Sequence, residues 1–263
     1  MRYVIGNAWC DENGNATGGK PGDQVQAEVD DWKGEVRLQY FYVNKKGWYV
    51  LRLKSAKQAK KAAKLMKKAC NNANIGYSQS DRYGIIAKGV KTKTPVNCDC
   101  SSLVRECIHE ATKAEIPDFY TANEVTILMA TGLFMPVIEY MDNTTLYVGD
   151  VIVTKIKGHT AIVTEGEPRT NPYTEPAENV TSKNIIAENR LNPANYLTKG
   201  DGVKWVQYEL CRVGFQFEID TFGGIDGICG NGTADCIMEF QRAKGLEVDG
   251  ICGKKTRRAL KKC

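Results

Sequence analysis

The chain has 263 residues, 42% of them hydrophobic, 25% charged and 9% aromatic, which leaves room for one large or two modest globular domains and excludes wholesale disorder or a collagen-like repeat. Its 36 Lys and Arg against 31 Asp and Glu give a formal charge of +5, too mild an excess for a dedicated nucleic-acid binder, so no nucleic acid is expected as a partner. No apolar run reaches eighteen residues, and the opening MRYVIGNAWCDENG turns acidic and Gly-rich before a signal-peptide core could form; a protein made in the cytoplasm, with no leader and no membrane insertion, is expected.

The first fifty residues alternate strand-like runs (Arg2–Ile5, Val36–Val43, Trp48–Leu53) with loops, the longest at 11–24. Ser55 then caps a predicted helix, AKQAKKAAKLMKKAC. Its small and apolar residues Ala56, Ala59, Ala63, Met66 and Cys70 share one side, and lysines 57, 60, 61, 64, 67 and 68 take the rest. A polar, Gly-containing loop over 74–97 leads to a second helix from about Cys100 to Glu115, with Asp99 and Ser101 as capping residues and Pro117 as its stop. After a mixed region over 118–147, GDVIVTKI and HTAIVTEG read as two apolar strands joined at Lys157-Gly158.

Residues 166–194 hold four of the eight prolines and read as a linker with at most one short strand, Asn184–Ala187. Beyond it DGICG occurs twice, at 226–230 and 249–253, so one turn-plus-helix unit is used twice; helices are predicted near 201–213, 233–243 and 254–262. In these units Thr233 and Thr256 are expected as caps, and Phe240 and Leu260 as core. Disulfides among cysteines 229, 236, 252 and 263 would help so thin a core in oxidising surroundings.

A cysteine in the first turn of a helix meets unsatisfied N–H groups and the positive end of the helix dipole, so Cys100 is placed as a nucleophile of lowered pKa. There are two histidines. His109, nine residues down the same helix, lies about 13 Å away, which leaves His159 as the base. It opens a strand, with its ring expected to face the helix start on the side of Ala161 and Val163. The spacing of Cys98, Cys100, Cys107 and His109 is poor for zinc, because Cys107 and His109 point about 200° apart on a helix. The D-x-N-x-N run at 11–15 lacks the Gly and Glu of a calcium loop. No metal and no cofactor are expected.

NCDCSSLV (97–104), preceded by IGYSQSDR (75–82) and followed by GDVIVTKIKGHTAIV (149–163), resembles the NlpC-type branch of papain-like cell-wall cysteine peptidases, in particular the catalytic domains of bacteriophage endolysins. The resemblance implies an α+β papain-like fold with Cys100 as nucleophile, His159 as base and Tyr77 on the oxyanion side. It leaves the residue that orients His159 open. Glu165 is about 20 Å along the strand, and Glu188, Asn189, Asn7 and Asp23 are the candidates. The tail, from GDGVKWVQYELCRVGF to the end, resembles the three-helix peptidoglycan-binding domain that accompanies many wall hydrolases.

Together the resemblances imply a catalytic domain over 1–165, a linker over 166–195 and a small all-α three-helix domain over 196–263. The implied protein is a monomeric peptidoglycan hydrolase, an endolysin held in the cytoplasm until lysis, that cuts a stem-peptide amide bond as an endopeptidase. An amidase of the same chemistry, or a wall-binding protein without catalysis, are the alternatives.

Overall fold

The computed structural model describes residues 2–24, 28–30, 34–156, 158–170, 173–175, 184–185, 196–215 and 225–263. The chain divides into two compact units, residues 1–140 with 145–168, and residues 141–144 with 169–263.

In the first unit, strands β1 (Val4–Ala8), β2 (Val36–Tyr40) and β3 (Trp48–Leu51) are followed by helix α1 (Ala56–Cys70). Strands β4 (Ile75–Tyr77) and β5 (Val96–Cys98) flank a 3-10 turn (Gln79–Asp81) and the short helix α2 (Gly84–Lys88), so the segment expected as a loop over 74–97 carries four elements. Helix α3 (Cys100–Thr112) follows directly, then α4 (Glu124–Ala130), β6 (Ile138–Glu139), β7 (Val151–Thr154) and β8 (Thr160–Glu165). Six strands form one antiparallel sheet in the order β2-β1-β8-β7-β3-β6, while β4 and β5 pair in parallel beside it.

The apolar runs around β7 and β8 have a simple cause: both faces of this sheet are covered, and side chains alternate between them. Val151, Val153 and Ile162 pack with α1 and α3, whereas Ile152, Ala161 and Val163 pack on the other face with Ile5, Trp48 and Val50. Helix α1 begins where Ser55 Oγ accepts the Gln58 amide at 3.3 Å, and it buries Ala59, Ala62, Ala63, Leu65, Met66, Ala69 and Cys70. Gly149, at φ +90°, runs so close to this helix that a Cβ there would sit 2.2 Å from the Ala59 carbonyl oxygen. Its neighbour Asp150 is fully buried and bonds Arg52 through both oxygens, at 2.9 and 2.7 Å. The Gly-Asp pair thus ties the start of β7 to α1 and to the residue after β3.

In the second unit α5 (Asp201–Arg212), α6 (Asn231–Ala243) and α7 (Lys254–Lys262) stand where three helices are predicted. The unit is not purely helical, since β9 (Asn184–Ile185) pairs in parallel with β10 (Tyr196–Leu197). The remainder of the strand expected to Ala187, and the corner residue Lys157, lie outside the described residues.

The DGICG repeat is a repeat of hydrogen bonds. Gln207 Nε2 donates to Asp226, to the Ile228 carbonyl and to Thr233 Oγ, while its Oε1 accepts from the Gly227 amide. Gln241 makes the same four bonds to Asp249, Ile251, Thr256 and Gly250. Thr233 and Thr256 are therefore not caps. The N-caps are Gly230 and Gly253, and the hydroxyls serve the buried amide one turn in. Phe240 and Leu260 are core, as expected. Gln241→Ala would strand several buried polar groups, and each such loss costs about 1–3 kcal/mol. In hydrogen-exchange mass spectrometry of the full chain, residues 231–262 are expected to exchange faster in this variant while residues 56–112 do not change.

Candidate functional site

The β4–β5 ladder pairs Tyr77 with Cys98, two residues before Cys100, and so brings the 75–82 and 97–104 segments together. Helix α3 starts from a capping box. Asp99 Oδ1 accepts the Ser102 amide at 2.7 Å and Ser102 Oγ accepts the Asp99 amide at 2.9 Å, so Ser102, not Ser101, completes the cap. Arg82, 2% exposed, ties this start to the next loop: its Nε reaches Asp99 at 2.7 Å, Nη1 takes both oxygens of Asp118, and Nη2 donates to the Phe119 carbonyl.

His159 directly precedes β8, its amide on Thr154 Oγ1 at 3.0 Å and its carbonyl accepting the Thr154 amide at 2.9 Å. Ala161 and Val163 face away from α1 and α3, and the His159 ring neighbours Trp48 of their own cluster. It lies at the end of the sheet, edge-on to Trp9 with centroids 5.1 Å apart and 6.4 Å from the Trp48 ring. There Cys100, His159 and Tyr77 line one open cavity of about 360 Å³, together with Trp9, Gln79 and Lys46. His109 stands apart, its Nδ1 2.8 Å from the Ala114 carbonyl near the far end of α3.

Of the four candidates for orienting His159, Asn7 holds the place: its Oδ1 is 3.2 Å from His159 Nε2. Asn7 Nδ2 faces the Arg37 carbonyl at 3.5 Å, which fixes the amide with its oxygen toward the ring. An amide oxygen only accepts, so Nε2 carries the proton and Nδ1 keeps its lone pair. Asp23 is instead paired with Lys20, and Glu188 and Asn189 lie outside the described residues.

Burial changes the expected charge state. The Cys100 thiol is pushed up to about 12 by desolvation, reinforced by Asp99 and Glu124, and is only partly relieved by the Thr160 amide and the Ser101 hydroxyl. Desolvation, with Arg37 nearby, pushes His159 down to about 4. Both shifts favour thiol and neutral imidazole over an ion pair, and the first runs opposite to the lowered thiol pKa expected from the helix start. The helix start is present, but the capping carboxylate beside it and the loss of water outweigh the dipole. Tyr77 Oη accepts from Gln79 Nε2 at 3.0 Å, so its own proton is available to the cavity. Burial raises its pKa, which keeps it protonated.

A thiol at a helix start and an imidazole bonded to an amide thus line one open cavity. A family model described as an endolysin-like domain matches residues 5–169, more than half of the chain, and the chain belongs to that family. A second, described as a peptidoglycan binding domain, matches residues 199–260. The protein is therefore an endolysin-type cell-wall lytic protein, and peptidoglycan is its partner. No curated protein and no solved structure matches the chain. Among the described residues no helix is long and apolar enough to cross a membrane.

Proposed function

We propose that the first unit is a papain-like cysteine hydrolase of NlpC type that cuts an amide bond of the peptidoglycan stem peptide, as in a phage endolysin, with Cys100 as nucleophile and His159 as base. The observation that carries this is the cavity shared by the Cys100 thiol and an imidazole whose Nε2 is bonded to Asn7. On this reading His159 Nδ1 takes the thiol proton as the sulfur attacks the amide carbonyl carbon. The charges form together, and their mutual attraction offsets part of the desolvation that keeps the resting pair neutral.

The oxyanion is stabilised by the Cys100 amide in the first turn of α3 and by the Tyr77 hydroxyl, which Gln79 orients. The C–N bond then breaks as the imidazolium gives its proton to the leaving amine. Water, deprotonated by His159, attacks the thioester, and the sulfur leaves as thiol, taking that proton back. The second unit holds the enzyme on its polymer and raises the local concentration of bonds to cut.

The test is digestion of purified peptidoglycan by wild type and Cys100→Ala, with mass spectrometry of the fragments. New amino termini inside the stem peptide, absent with the variant, are the expected result and mean an endopeptidase. Sugar chains freed of intact peptides would mean an amidase. Equal digestion by both proteins, or none by either while both sediment with the wall, would sink the reading.

A further inference from the structure

Glu124 opens α4 and is wholly buried, with Oε2 meeting no hydrogen-bond partner among the described residues. Its Oε1 lies 2.7 Å from Thr160 Oγ1, and that hydroxyl is also 3.0 Å from the Ile152 carbonyl of the neighbouring strand. A threonine has one hydroxyl proton and two acceptors are within reach. A chain in which a protonated Glu124 donates to Thr160, and Thr160 donates to Ile152, uses each proton once and leaves no buried anion.

The turn before α4 takes a second hold on the same strand, since Thr121 Oγ1 accepts the Gly158 amide at 3.1 Å. Thr121 thus holds the Gly158 amide and Glu124 the Thr160 hydroxyl, one on each side of His159, and it is the Thr160 amide that reaches the Cys100 sulfur. We propose that Glu124 is a positioning residue for the Cys100–His159 pair, working as a neutral acid that seats Thr160 against the thiol, and that its ionisation shuts the site down. This rests on the cysteine-hydrolase reading for its bearing on turnover, but not for its bearing on the thiol.

The groups facing Glu124 give the sign. From α3 come Asp99 and Cys100, both negative when ionised, and from β8 comes the neutral Thr160. Asp99 is itself bound to Arg82, which also holds Asp118 and lies over the Tyr120 ring at 4.3 Å. Burial, with Asp99 adding to it, raises the Glu124 carboxyl to about 8, so it holds its proton at neutral pH and loses it as pH rises further. A second negative charge beside Cys100 then opposes the thiolate that attack requires.

The experiment compares wild type, Glu124→Gln and Glu124→Ala in the full chain, reading Cys100 alkylation by iodoacetamide against pH, by peptide mass mapping, alongside kcat and KM on peptidoglycan fragments. Gln can still donate to Thr160 and cannot ionise. Its alkylation profile is expected to lie about half a pH unit or more below that of wild type. Its turnover at pH 7 should be retained and the fall in kcat above pH 8 removed. Glu124→Ala is expected to lower kcat about tenfold or more with little change in KM, since the strand carrying His159 is no longer seated. Alkylation profiles that superimpose for wild type and Glu124→Gln would overturn the proposal, as would an alkaline fall that persists in Glu124→Gln. A shifted profile in proteins that all fail to cleave would uphold the Glu124–Cys100 coupling and sink the hydrolase reading instead.

Discussion

His159→Ala is expected to lower kcat/KM for wall digestion by about a thousandfold, within the range that a positioned general base supplies, while sedimentation with peptidoglycan is unchanged because the binding unit is untouched. The loss should be this large because the resting thiol is held near 12 and no other imidazole reaches the cavity among the described residues. The partner variant is Asn7→Asp. It preserves an acceptor for Nε2 but places a carboxylate against a ring that burial holds near 4. A negative neighbour favours the imidazolium, so the His159 pKa rises, and the acidic limb of the kcat/KM profile should move to higher pH. If the limb stays in place while Asn7→Asp remains active, Nε2 is not facing that side chain during turnover. An Asn7→Ala profile shaped like that of wild type, at roughly a tenth of its rate, would assign Asn7 to holding the ring alone.

The parts of the site that could be read from the sequence are those fixed by local rules. A cap residue before an amphipathic run marks the start of α3, and a Gly before an alternating run marks the start of β8, so Cys100 and His159 stand out without a structure. What holds them is set by pairings between distant segments. Asn7 comes under His159 because β1 pairs with β8, with Ile5 opposite Val163, and nothing local distinguishes it from Asp23 as a candidate.

Glu124 sits in a stretch whose helix of seven residues is too short to leave a periodic signal. A strand buried on both faces carries no polar stripe to show which face meets a helix, so the side taken by Ala161 and Val163 is not legible in the sequence. In the second unit the repeat was legible as DGICG. Its reason, a glutamine from the preceding helix filling each loop, lies outside the repeated letters.

Asp150→Ala should destabilise the first unit by about 4 kcal/mol, the range found when one member of a buried ion pair is removed. It would take the carboxylate from Arg52, which also donates to the Thr145 carbonyl at 3.0 Å and lies over the Tyr147 ring at 4.4 Å, and would take the Asp150 acceptor from the Tyr147 amide. Much of that cost is a buried guanidinium deprived of its countercharge and not the worth of the pair itself, and a double variant separates the two. Arg52→Met with Asp150→Ala removes both charges together, so urea unfolding should recover a large part of the single-variant loss. A double variant no more stable than Asp150→Ala would mean that the carboxylate matters mainly as acceptor for Tyr147. The same pair bears on chemistry because Asp150 begins the β7–β8 hairpin and His159 sits at its turn. A loosened hairpin lets the ring leave Asn7, so Asp150→Ala should lose kcat at temperatures where the protein is still folded. The double variant should regain activity in step with its stability.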